Sequence, residues 1–169
     1  MNLLGDLDKS DAVAFRKLCD YRWAAGFPVP MPLVFQPDAE IYTNNGIDVE
    51  SLLHLQSLGL ISFQATKHGG VNRTNLPDQF LVSYCGRTLR LTVPEDGNKW
   101  FPTGKVLMTS AGSEIASIFE ISEIPGFVNY VIDQWKRFNP TEVPITRIQT
   151  TTPKHHEQNT LATHSLHPI

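Results

Sequence analysis

The apolar positions between residues 47 and 64 follow two periods in succession. Leu52, Leu55 and Leu58 recur at helical spacing behind Asp48, and Leu60-Ile61-Ser62-Phe63 then alternates. A short oxygen-bearing side chain ahead of such a stripe accepts hydrogen bonds from the free N–H groups of a first turn, so Asp48 predicts the start of a helix over 48–58. Gly59 stands where that helix needs a residue in the left-handed region, which glycine enters at no steric cost. The alternation beyond it predicts a half-buried strand over 60–66. The rest of the chain is arranged around this helix and strand.

Upstream, Phe15, Leu18, Cys19 and Trp23 fall on one side of a helix predicted over 9–24, capped by Ser10 or Asp8 and ended by Gly26. Residues 27–37 contain four prolines. These remove donors and push their predecessors to extended geometry, so no helix forms there. A displayed ligand for an SH3-type domain is one reading of this stretch. Val29, Met31, Leu33, Val34 and Phe35 favour a packed extended segment instead, because a displayed ligand is less apolar. Ile41-Tyr42 then finishes a short strand before a turn at Asn44-Asn45-Gly46.

Downstream, residues 67–77 read as a polar loop. Strands over 79–84 and 88–93 are joined through Cys85-Gly86-Arg87, with Gly86 at positive φ, and 94–98 is a loop. A short strand at 105–108 leads into a helix over 110–121, capped by Thr109 or Ser110, with Ile115, Ile118 and Phe119 as its buried stripe. Pro125-Gly126 ends it, and a last helix over 127–138 turns Phe127, Val131, Trp135 and Phe138 inward. From Asn139 the composition shifts to Thr, Pro, His and Gln, so 140–169 reads as a flexible polar tail behind a single domain at 1–139.

The predicted class is α+β. A small antiparallel sheet is packed by about four helices over a core of Phe15, Leu18, Leu52, Leu55, Leu58, Leu60, Ile61, Leu89, Leu91, Ile115, Phe119, Val131 and Trp135. A helix that closes on Leu58-Gly59-Leu60-Ile61 and runs directly into a strand is similar to the last helix of a winged helix-turn-helix domain meeting its wing. The fold is therefore read as winged-helix-like.

Composition narrows the function. With 169 residues and 41% hydrophobic content, the chain can bury one sizeable core. A net charge of −3 provides no global basic field for nucleic acid or anionic lipid. Cys19 and Cys85 form no CxxC pair and read as free thiols of a reduced compartment. No apolar run approaches a membrane span, and Asp6 and Asp8 interrupt the N-terminus before a signal core forms, so a cytoplasmic protein without membrane contact is expected.

The chemistry-bearing residues do not assemble into a motif. His155-His156, His164 and His167 have no carboxylate or thiol at ligand spacing, so they imply no metal, and His54 has no His or Glu four residues further on. Ser110-Ala111-Gly112-Ser113 lacks the leading glycine of a nucleophile elbow, and His68-Gly69-Gly70 has no elbow serine to serve. Glu95-Asp96 and Glu120/Glu123 read as solvated charge. No phosphate-binding glycine loop is present and no cofactor is implied. No enzyme is expected, unless its site assembles from residues distant in sequence.

DNA binding is the alternative that a winged-helix outline raises, since such folds place a helix in the major groove. Helix 48–58 argues against it, because it carries Asp48 and Glu50 and no Lys or Arg. The helix that should precede it is also absent from the reading, since 27–46 is taken as extended. The wing offers Lys67, His68, Arg73, Arg87 and Arg90 as the nucleic-acid-binding residues of this alternative.

Three stretches resemble, in order, the C-terminal half of a bacterial family known as domain of unknown function 2806. They are Gly5-Asp6-Leu7-Asp8-Lys9-Ser10-Asp11-Ala12 with Phe15 and Leu18-Cys19, then Leu52 with Leu55-Gln56-Ser57-Leu58-Gly59-Leu60-Ile61, then Leu107-Met108-Thr109-Ser110-Ala111-Gly112-Ser113-Glu114-Ile115. The likeness covers residues 3–138. Members of that family are longer, with a helical region ahead, which implies a shortened protein or an excised domain. The resemblance implies no activity and no catalytic residue. It points to an accessory role in a bacterial mobile-element or anti-phage setting. The sequence reading is therefore a non-enzymatic interaction or regulatory module with a protein partner.

Overall fold

The computed structural model describes residues 8–24, 31–72, 77, 79–92, 100–138 and 145–148. It is a mixed α and β structure, with five helices and small antiparallel sheets among these residues.

Helix α1 spans Lys9–Cys19. Asp8 caps it, accepting from the N–H groups of Ser10 and Asp11 while Asp11 returns a hydrogen bond to the Asp8 N–H. The helix stops five residues before the predicted end, with Asp20 as its C-cap. Arg22–Trp23 instead forms strand β1, antiparallel to β2 at Met31–Pro32. Trp23 is buried there, stacked on Tyr84 and edge-on to Trp135. An aromatic pocket outweighs continued helical periodicity. Gly26, assigned as the helix end, lies outside the described residues.

Of the stretch 27–37 expected to be extended and packed, Met31–Pro32 is strand and Leu33, Val34 and Phe35 are buried. A bend follows at Phe35, and residues 27–30, Val29 among them, lie outside the described residues. The short strand expected at Ile41-Tyr42 is instead helix α2, Glu40–Thr43. One turn of helix carries Tyr42 into the core, where its hydroxyl donates to the Leu33 carbonyl. A helix therefore does precede α3, Val49–Ser57, across the turn at 44–48. Asp48 caps α3 in a reciprocal pair with Ser51. Gly59 has φ 75°, and the Leu60 N–H returns to the Leu55 carbonyl, which closes the helix with a left-handed C′ residue as predicted.

Strand β3, Ile61–Phe63, is antiparallel to β8, Val106–Met108. The loop predicted over 67–77 is partly a strand. Gly69–Asn72 forms β4, paired with β7 at Trp100–Gly104 through an irregularity at Gly69/Gly70. A glycine pair with one apolar residue gives no alternation for a sequence reading to detect, and the pairing is supplied from thirty residues away. Strands β5, Gln79–Tyr84, and β6, Arg87–Thr92, form a hairpin with Tyr84 opposite Arg87. Its two-residue turn has Cys85 at φ 46° and Gly86 at φ 76°, the double positive φ that matches strand twist. The loop predicted at 94–98 lies outside the described residues.

Helix α4 spans Ser110–Ala116 and ends before the predicted residue 121. Thr109 is the cap, accepting from the Gly112 N–H and donating to the carbonyls of Gly59 and Leu60. Because the helix ends early, Ile118 is not in the buried stripe; it is 75% exposed, while Ile115 and Phe119 are half-buried against the core. Helix α5, Phe127–Phe138, matches its predicted bounds. Beyond it, Ile145–Ile148 forms β9 against β6, so ordered structure continues into the stretch read as a tail. Residues 149–169 lie outside the described residues.

One cluster of buried residues joins these elements. Ten of the expected core residues are buried, and Leu58, Ile115 and Phe119 sit half-buried at its edge. Phe127 is its aromatic centre, with ring centroids at 4.9 Å from Tyr21, 5.3 Å from Tyr84 and 6.2 Å from Tyr42.

Candidate interaction surface

Helix α3 has one face in the core, through Leu52 and Leu55, and one in solvent. The solvent face holds Val49, Glu50, Leu53, His54, Gln56 and Ser57. Val49 and Leu53 lie one turn apart and are 43% and 49% exposed. The capping pair at Asp48 and the Schellman closure at Gly59 satisfy backbone groups at both ends of the helix.

The helix is also tied to α1. His54 Nε2 lies 2.7 Å from Asp11 Oδ1, while Asp11 Oδ2 accepts the Asp8 N–H. Asp11 is 5% exposed, whereas the His54 side chain is about half exposed. An aspartate orienting a histidine is two-thirds of a hydrolytic triad. The serine hydroxyls on these elements are used otherwise: Ser10 Oγ donates to Asp8, and Ser57 Oγ to the His54 carbonyl. The pair therefore acts here as an inter-helix tie. Sequence reasoning sought a partner for His54 four residues away, and the partner is 43 residues upstream. The D-x-x-D pattern at Asp8 and Asp11 signals the local cap and carries no sign of the contact with His54.

Burial shapes the thiols in the same structural direction. It pushes Cys19 up to about 11, the nearby Arg22 and Arg16 opposing only in part. It also raises Cys85 above its ordinary value. Both are free thiols, and a raised pKa suppresses the thiolate that nucleophilic chemistry needs. Among the described residues no group of three or more His, Cys, Asp or Glu side chains could hold a metal ion.

Of the five basic residues singled out in the sequence, Arg87 and Arg90 share strand β6, while Lys67 and His68 stand between β3 and β4 in no strand. Lys67 is exposed in the bend between β3 and β4. His68 is half-buried, its ring 6.5 Å from that of Phe35, and burial, with Lys105 adding, holds its pKa below the usual 6.5. Both effects disfavour the charged form of its ring. Arg87 follows the β5–β6 turn, with Nη2 2.8 Å from Glu123 Oε1, so its charge is compensated. Arg90 is exposed in the middle of β6, opposite Leu81. Arg73 lies outside the described residues.

A further arginine, unforeseen from the sequence, is structural. Arg22 is buried and donates to the carbonyls of Cys19 at 3.0 Å, Ala116 at 2.5 Å and Phe119 at 2.7 Å. It joins the C-terminal ends of α1 and α4, where free carbonyls carry partial negative charge. No helix among the described residues is long and apolar enough to cross a membrane. Comparison of the chain with protein-family models, with curated proteins and with solved structures finds no match.

Proposed function

We propose that the chain is a non-enzymatic interaction or regulatory module of winged-helix-like topology, and that it meets a protein partner through the outward face of α3. The order of elements supports the topology. Helix α1 is followed by the β1 and β2 strands, a short helix, a turn and α3, which runs into β3, and β3 pairs with β8 across a long excursion that stands where a wing would. The extended segment at 33–35 lies alongside, with the Lys105 N–H donating to the Val34 carbonyl at 2.6 Å.

One observation carries the choice of partner. The helix in the recognition position presents Val49 and Leu53 to solvent beside Asp48 and Glu50, and it has no Lys or Arg. Apolar anchors at i and i+4 suit a protein groove, whereas phosphate contact is made largely by cations. An accessory role in a bacterial mobile-element or anti-phage setting belongs to the same proposal and rests on the family resemblance alone.

The test places a photocrosslinking side chain at position 53, with position 81 as a control, in a nuclease-treated native host. Protein adducts at 53 that disappear with Val49→Glu support the reading. In parallel, fluorescence anisotropy on a labelled duplex is followed across a salt series. Tight and steeply salt-dependent binding, lost when Arg73, Arg87 and Arg90 are replaced by Ala, overturns it in favour of DNA contact through the wing.

A further inference from the structure

Two surface features, distinct from the α3 face, each set an exposed apolar side chain between charged residues, and the charges are opposite in sign. The first is a shallow recess of about 490 Å³ over the outer side of α1, lined by Lys9, Ser10, Val13, Ala14, Lys17 and Gly46. Its floor is apolar, since Val13 is 48% exposed and Ala14 half-buried. Lys9, Val13 and Lys17 follow one another at four-residue steps, so the lysines flank the valine along one line, with about 12 Å of helix between them. Neither lysine has an ion-pair partner among the described residues.

The second feature is a projecting apolar side chain. Ile118 is the most exposed large apolar residue among those described. Glu114 and Glu120 flank it in sequence, both exposed and without an ion-pair partner among the described residues. From Glu114 to Glu120 the chain takes two helical steps and four beyond the helix, a reach of about 17 Å at most, so the two carboxylates can span the lysine spacing. Ile118 is held in place from both sides: Arg22 binds the carbonyls of Ala116 and Phe119, and Phe119 packs edge-on against Phe15 beneath the Arg16 guanidinium. A projection fixed in advance loses little conformational freedom on docking.

We propose that Ile118 of one chain seats in the α1 recess of a second copy, with Glu114 and Glu120 meeting Lys9 and Lys17. Phe119 packs on Phe15 under Arg16, so the projection stands beside α1, the helix that carries the recess. A two-fold axis across α1 therefore lets the contact form twice and close the assembly as a dimer. Each contact is small, so the dimer is a weak one, and its formation depends on ionic strength because the charged pairs lie at the rim.

Sedimentation equilibrium of the full chain across concentration and salt tests this. The samples are wild type, Ile118→Glu, the pair Lys9→Glu/Lys17→Glu, the pair Glu114→Lys/Glu120→Lys, and an equimolar mixture of the two charge-reversed chains. Wild type should form a reversible dimer that weakens with added salt. Ile118→Glu and each charge reversal should weaken association by about tenfold or more. The mixture should recover it, because both contacts are then complementary again. All sites are exposed, and unchanged thermal unfolding monitors the fold. A wild type that stays monomeric at the highest concentration overturns the proposal. So does a dimer indifferent to the reversals, or a mixture that associates no better than its components.

Discussion

At the scale of single residues, two glycines hold the centre of the fold for different reasons. Gly59 needs its backbone freedom, and a β-branched residue at φ 75° is penalised, so Gly59→Val should cost about 1 kcal/mol or more. A lowered urea midpoint with unchanged slope is the expected result. Gly112 needs its missing Cβ, which would overlap the Leu60 carbonyl. Backbone cannot swing aside as a long side chain does, so Gly112→Ala should cost about 1–3 kcal/mol through forced displacement of α4. The Thr109-Ser110-Ala111-Gly112 stretch is thus a docking device for a helix. Asp8 and Asp48 give the acid response. The Ser10 hydroxyl and then the Asp11 N–H hold Asp8 below its ordinary 3.8, and the Ser51 N–H does the same for Asp48. A carboxylate depressed in the folded state stabilises it above the unfolded value and ceases to as pH falls through the folded one. Stability should therefore decline below about pH 4, and the double variant Asp8→Asn/Asp48→Asn should flatten that decline in urea midpoints measured against pH.

At the scale of elements, the ends of helices decide more than their middles. Helix α1 and helix α4 both stop short of their apolar periodicity, and Arg22 gathers the carbonyls left at both ends. Removing it leaves three acceptors without their donor in a dry environment, so Arg22→Met should destabilise by about 2–4 kcal/mol in chemical denaturation. Arg22→Lys should recover only part of that, because an ammonium cannot spread three donors over a planar fork. The early stop of α4 also explains Ile118. With the helix ending at Ala116, the 3.6-residue repeat no longer governs where residue 118 points. That local departure from pattern turns a residue expected in the buried stripe of the helix into the projection proposed to join two copies.

At the scale of the molecule, the three-stranded sheet joins segments from across the chain. Strand β9 pairs with β6 along Leu91↔Ile145 to Thr88↔Ile148. Truncation after Phe138 removes that strand and uncovers the edge of β6, so the shortened chain should melt below the full one and expose an edge prone to association. Equal melting temperatures by circular dichroism would show that the edge strand contributes nothing. The same long-range pairing joins β3 and β4 to β7 and β8, and the aromatic cluster around Phe127 links β1, α2, β5 and α5.

By itself the sequence determined what depends on neighbouring residues. The cap at Asp48, the closure at Gly59, the β5–β6 hairpin, the whole of α5 and most of the core were legible, because capping, turn chemistry and amphipathic period act over a few residues. The tertiary structure alone decided what depends on groups far apart. It broke α1 at Cys19 to give Trp23 its aromatic pocket, turned Ile41-Tyr42 into helix and made a strand of Gly69–Asn72. It also brought Asp11 to His54 across 43 residues, and Arg22 to Phe119 across 97. Burial of large side chains and pairing of backbone groups are gains shared between distant segments, and a local pattern yields to them wherever the shared gain is larger.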